Sequence, residues 1–95
     1  MESKEAYKAK IDAQLKEWAV KIADLKAKAE VAEASMKVEY LKQVEALHVM
    51  REKAHVKLEE MKKAGDEKWE TLKKGMEKAA AELKDSINST IAKFK

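Results

Sequence analysis

Ninety-five residues bound this chain to one small domain, and with 41% charged and 5% aromatic residues it has little material for a thick core. Twenty lysines and the single arginine, Arg51, face eighteen acids, leaving a formal charge of +3. The charge is evenly spread: residues 65–95 carry seven bases and six acids. There is thus no basic arm for nucleic acid, and almost none of the arginine that supplies bidentate phosphate and guanine contacts. The absence of cysteine removes disulfides, thiol nucleophiles and cysteine-based metal sites, and fits a reducing, cytoplasmic location. No apolar run approaches the ~18 residues of a membrane span. Nor does the opening Met1-Glu2-Ser3-Lys4 lead into a signal-peptide core, so no export is expected.

Ser3 is a good N-cap and Glu5 an acid in the first turn, which predicts a helix from about residue 4. From there an apolar stripe recurs at steps of three and four, the spacing of one helix face: Ile11, Leu15, Trp18, Ile22, Leu25, Ala29, Ala32, Met36. Over residues 11–36 the alternation is a clean 4-3-4-3, the pattern of a coiled-coil seam. Acid-first pairs such as Asp12–Lys16, Glu17–Lys21 and Asp24–Lys28 mark the opposite side as a solvated helix face.

The stripe continues through Tyr40, Val44 and Leu47, slips at Arg51, and resumes at Ala54, Leu58 and Met61. Beside it lie Glu45, His48, Glu52 and His55, two Glu-x-x-His motifs seven residues apart on one face. This is the ligand spacing of carboxylate-bridged dimetal bundles. That chemistry needs the motifs on different helices, projecting into a core. Here both fall on one helix, about 100° from the stripe, so a solvated face is the favoured reading. A dimer that brought two such faces together would restore the metal reading. Histidine is also the side chain whose charge changes between pH 5 and 8, which leaves a pH sensor conceivable without further support.

Ala64-Gly65-Asp66 is the only strong punctuation in a chain without proline. A left-handed C′ Gly65 after Lys62 and Lys63, with Asp66 capping the next helix, predicts a turn over 64–66. The competing reading keeps Gly65 inside one continuous helix at a cost of about 1 kcal/mol, since the stripe holds its phase through Trp69, Leu72 and Met76. The remainder, Ala79, Leu83, Ile87, Ile91 and Phe94, predicts helix to about residue 93, with a weak end near Asn88-Ser89-Thr90. From Ile11 to Phe94 the mean step is about 3.6 residues, so extra four-residue steps should straighten the later packing.

No serine has a plausible base or oxyanion partner and no glycine-rich phosphate loop is present, so no enzyme, catalytic residue or cofactor is expected. Trp18 and Trp69 lie on the stripe and read as core anchors; the alternative is a lipid-interface role for a surface helix.

The run Lys57-Leu58-Glu59-Glu60-Met61-Lys62-Lys63-Ala64-Gly65-Asp66-Glu67-Lys68-Trp69-Glu70-Thr71-Leu72-Lys73-Lys74-Gly75, with Tyr7-x-x-Lys10-x-x-x-Gln14-Leu15-x-x-Trp18, resembles a family of small bacterial coiled-coil proteins of stress-response type. The resemblance covers most of the chain, and Ala-Gly-Asp-x-x-Trp-x-x-Leu-Lys-x-Gly is its most specific part. It implies a cytoplasmic helical protein with no established biochemical activity and no residue roles to carry over.

The fold expected from these features is all-α: one long helix over about 4–63, a turn at 64–66, and a second helix over about 67–93 folding back antiparallel. The second helix is too short to cover the first. Leu15, Trp18, Ile22 and Leu25 are then left as an exposed seam, which predicts a homodimer or higher oligomer through those residues. The expected function is that of a structural or interaction coiled coil acting through itself and through a protein partner. The alternative is a reversible, apolipoprotein-like binder of membrane surfaces.

Overall fold

The computed structural model describes residues 3–95. Every regular element is helical: α1 spans Lys4–Glu30, α2 Ala34–Lys63 and α3 Asp66–Lys93. Alanine, lysine, glutamate and leucine fill all three, and these are the residues that lose least on entering a helix. The Ser3 hydroxyl accepts the Ala6 N–H at 3.0 Å and so caps α1.

The helix expected to run unbroken over 4–63 is in fact two. α1 stops at Glu30, Val31 leaves helical geometry at φ −103°, ψ 6°, and Glu33 restarts the chain from an extended ψ of 144°. The Glu33 carbonyl accepts the N–H groups of Met36 and Lys37, both at 2.9 Å. No glycine, proline or left-handed residue makes this turn, and no side chain caps the start of α2. Tertiary burial makes it instead. A straight helix would leave Leu15, Trp18, Ile22 and Leu25 in water, and each large apolar side chain gains about 1.5–3 kcal/mol on burial. An uncapped helix start costs about 1 kcal/mol. The break falls where the stripe is weakest, between Leu25 and Tyr40: Met36 is 42% exposed and Val31, at the turn, 85%.

The second junction is Ala64-Gly65. Gly65 is extended at φ −82°, ψ 177° and is itself the N-cap of α3, while Asp66 lies in the first turn beside Glu67. The left-handed Gly65 and capping Asp66 expected from the sequence are therefore replaced by an extended connection that any residue could adopt.

Helices of this length are roughly 40–45 Å long, and they lie lengthwise in a rod of 50 × 18 × 17 Å. The Arg51 Nε donates to the Leu15 carbonyl at 3.2 Å, and Asp12, earlier in α1, lies near Lys62, later in α2, so α2 runs back along α1. Tyr40 stacks on Phe94 at 4.1 Å, and Tyr7 meets Trp69 edge to face at 5.8 Å, so α3 runs against α2 and alongside α1. These two aromatic pairs close opposite ends of the rod. Lys4–Asp66 at one end and Lys93–Glu39 at the other add ion pairs over them.

The seam of α1 is inside the molecule. Leu15, Trp18, Ile22 and Leu25 retain 1, 8, 5 and 3% exposure, and Trp18 shares a cleft with Ile87 of α3. The interface expected at these four residues is overturned on its premise: the extra turn lets the chain cover its own seam. Near the C-terminus the stripe also shifts. Ile91 is 40% exposed, and Thr90 is buried in its place, its hydroxyl donating to the Ser86 carbonyl at 2.9 Å.

Two predictions arise from this packing. Gly75 lies inside α3 with helical neighbours, and a Cβ there would meet only the Lys57 Nζ, at 4.0 Å. Gly75→Ala should therefore stabilise the fold by about 0.5–1 kcal/mol, read as a higher Tm by circular dichroism; an unchanged or lower Tm would show that the site is not free. Glu39 is the second case. The hydrogen bond from Lys93 holds its carboxyl below the usual range. A depressed carboxyl contributes stability that is present above its unfolded-state value and is lost as pH falls through the folded one. Glu39→Gln should thus melt below the parent near neutrality, and the gap should close as the buffer is acidified past the ordinary glutamate range; a gap independent of pH would dissociate Glu39 from the effect.

Candidate interaction surface

α3 packs on one side of the α1–α2 pair, and the other side stays open. There the small side chains of Ala19 and Ala23 stand opposite Leu41 and Val44, and the resulting groove holds about 490 Å³. Ile22 lies in its floor, and Lys26, Glu45, His48 and Arg51 stand around it. Arg51 is turned into the molecule, bonded to the Leu15 carbonyl and to Glu52, whose carboxylate lies at 3.1 Å from Nη1.

His48 also borders a second, shallower hollow on the back of α2, shared with Val49, Glu52 and Val56. Val38, Val49 and Val56 are 64, 41 and 54% exposed. Their spacings of eleven and seven residues are three and two helical turns, so the three valines form one line, opposite the buried face. Attention to the stripe alone misses this line, although the spacing that reveals it is present in the sequence.

The four residues of the Glu-x-x-His motifs sit along this open side. Glu45, His48 and Glu52 are exposed and His55 is half-buried, its Nε2 at 3.7 Å from Glu59. At a rise of about 1.5 Å per residue, Glu45 and His55 are some 15 Å apart along one helix axis. Among the described residues no three His, Cys, Asp or Glu side chains gather closely enough to hold a metal ion. Near His55, Asp12 of α1 has its carboxyl held below the ordinary range, first by the hydrogen bond from Lys16 and further by the charges of Lys16, Lys62 and His55. Charges of α1 and α2 are thus interleaved across the seam where the two helices meet.

Among the described residues no helix is long and apolar enough to cross a membrane. Compared with known protein families, curated proteins and solved structures, the chain matches none.

Proposed function

We propose that this chain is a non-enzymatic interaction protein that works by self-association and through a protein partner, in the cytoplasm and in a stress-related setting. The observation that supports it is the uncovered α1–α2 side, with an apolar groove next to a line of exposed valines on an otherwise charged surface. An apolar strip rimmed by charge is the kind of surface that proteins use to bind one another. The stress-related setting rests on the family resemblance of the Ala64–Gly75 region, and the cytoplasmic one on a sequence without cysteine. The oligomer proposed from the sequence is kept, and its surface is moved from the buried α1 seam to this open side. Sedimentation equilibrium tests it: a concentration-dependent rise in mass should appear and should fall away in Val49→Lys/Val56→Lys. A monomer up to about 0.5 mM would overturn self-association.

Reversible binding to a membrane surface is the second reading, and one observation favours it. α1 and α3 touch each other far less than either touches α2, so the rod has one thin seam along which α3, the most amphipathic of the three helices, could turn its buried face to lipid. Trp18 and Trp69, each 8% exposed, would report it. Phosphatidylglycerol vesicles should then shift tryptophan emission and disperse the ring pair of Tyr7 and Trp69. Unchanged spectra would remove this reading.

A further inference from the structure

The open side of α2 carries a pattern that is complementary to its own reverse. Leu41, Glu45, His48, Glu52, His55 and Glu59 follow one another at steps of four and three, which is a heptad seam with glutamates at one core position and Leu41 and the two histidines at the other. In an antiparallel pair of helices these two positions face each other. Centred on Met50, Glu45 falls opposite His55 of a second copy and His48 opposite Glu52 of the second copy, and the two-fold axis repeats both contacts. Four Glu–His pairs result from one register. A shift of one heptad toward the start of α2 leaves only two. A shift of one heptad the other way also forms four, but it overlaps the two α2 helices only over residues 44–63, against 37–63 in the register centred on Met50.

We propose that a second copy of this chain docks antiparallel on the open side of α2 in the register centred on Met50, through reciprocal Glu45–His55 and His48–Glu52 pairs, and that acidification tightens the dimer. The inference rests on the self-association proposed above and names its surface, partner and control.

The flanks agree with this register. Val49 comes within two residues of the level of Val49 of the second copy, so the two lines of exposed valine meet near the axis. Lys42 comes beside Glu59 and Glu60 of the second copy at each end. Complementary charge of this kind fixes register and orientation. The face spans about seven turns of one helix, a small interface that places the dimer among weak, reversible ones.

Protonation acts on groups whose surroundings are already set. Around His48 stand Glu45, Arg51, Glu52 and Lys53 of α2 and Lys26 of α1. Around His55 stand Glu59 of α2, and Asp12 of α1 with its partners Lys16 and Lys62; α3 packs on the other side. Arg51 faces its own copy near the axis but is bonded inward to Leu15 and sideways to Glu52. A neutral imidazole can hydrogen-bond a carboxylate, and a protonated one adds an ion pair. Exposed pairs are individually weak, yet four acting together should tighten association about tenfold or more. Protonating both histidines also raises the chain's formal charge of +3 by two. General repulsion would then loosen a dimer, so the expected effect has the opposite sign to that of net charge.

The test is sedimentation equilibrium of the full chain in 150 mM salt at pH 7.5 and 5.5. The dissociation constant should fall at least about tenfold on acidification. His48→Glu should weaken the dimer and reduce that fall, because the introduced carboxylate would then face Glu52 of the second copy and only the two Glu45–His55 pairs remain to respond. The double exchange His48→Glu/Glu52→His restores opposite groups only in this register, and it should restore the pH response. Circular dichroism checks that the three proteins are equally helical, as substitutions on an exposed face allow. Association that is indifferent to pH, or a double exchange no better than the single one, would overturn the register while leaving self-association standing. A monomer at both pH values up to about 0.5 mM would overturn both.

Discussion

Trp18→Ala should lower the melting temperature by at least about 12 °C and leave the oligomeric state of the folded protein unchanged. Trp18 is 8% exposed and lies against the cleft shared with Ile87, so its ring fills the space between α1 and α3 within one chain. Removing a large buried aromatic costs about 3–5 kcal/mol, because the transfer energy is lost and the cavity closes only in part. For a domain of this size each kcal/mol moves Tm by about 4–8 °C. A small domain holds only about 5–15 kcal/mol in all, so the variant should be partly unfolded near body temperature. Thermal melts paired with sedimentation separate the two possible roles of this residue. A variant that melts like the parent but dissociates more readily would return Trp18 to an interface.

Trp69→Ala should be similarly costly, about 3–5 kcal/mol, but its effect should be local to one end. Trp69 packs edge to face on Tyr7, with Lys4 and Lys8 at 5.5 and 5.7 Å from its ring. An edge-to-face pair contributes about 0.5–1.5 kcal/mol beyond its buried area. A double-mutant cycle with Tyr7→Leu and Trp69→Leu should recover a coupling of that size, and additive effects would show that the two rings are independent. Hydrogen exchange should report faster opening of the first turns of α1 and α3, with the Tyr40–Phe94 end still protected. Uniform loss of protection along all three helices would contradict the picture of two separately closed ends.

The helical class was legible because the stripe from Ile11 to Phe94 is long and in phase. Buried Leu15, Leu47, Leu58, Met61, Met76, Leu83 and Ile87 all lie on it. The fold-back at Val31–Glu33 was not legible, because no residue there opposes helix. Its only trace is negative: between Leu25 and Tyr40 the stripe offers two alanines and a methionine. Local chemistry favours continuing, and the decision belongs to distant residues that gain by burial. The same blindness misplaced the surface. Once α1 folds back, Leu15, Trp18, Ile22 and Leu25 are interior, and the exposed apolar line moves to Val38, Val49 and Val56. Tyr7, buried at 4%, precedes the start of the stripe and was missed as a core residue, since its partner Trp69 is remote in sequence. The open side of α2 was legible in part: the Glu45, His48, Glu52 and His55 spacing stood out, and the helix that leaves it uncovered did not.

The turn at Val31–Glu33 has one more consequence. Its residues can all adopt helical angles, and no side chain caps the helix that follows it. If α1 swings away, the chain can pass straight through from Lys4 to Lys63 as a single helix, and the vacated place along α2 and α3 has the shape of another molecule's α1. Exchange of identical segments between copies is a low-cost route to a swapped pair. Concentrated protein warmed toward its melting point and then cooled is where such entwined dimers should collect, distinguishable from face-to-face dimers by their slow return to monomer on dilution.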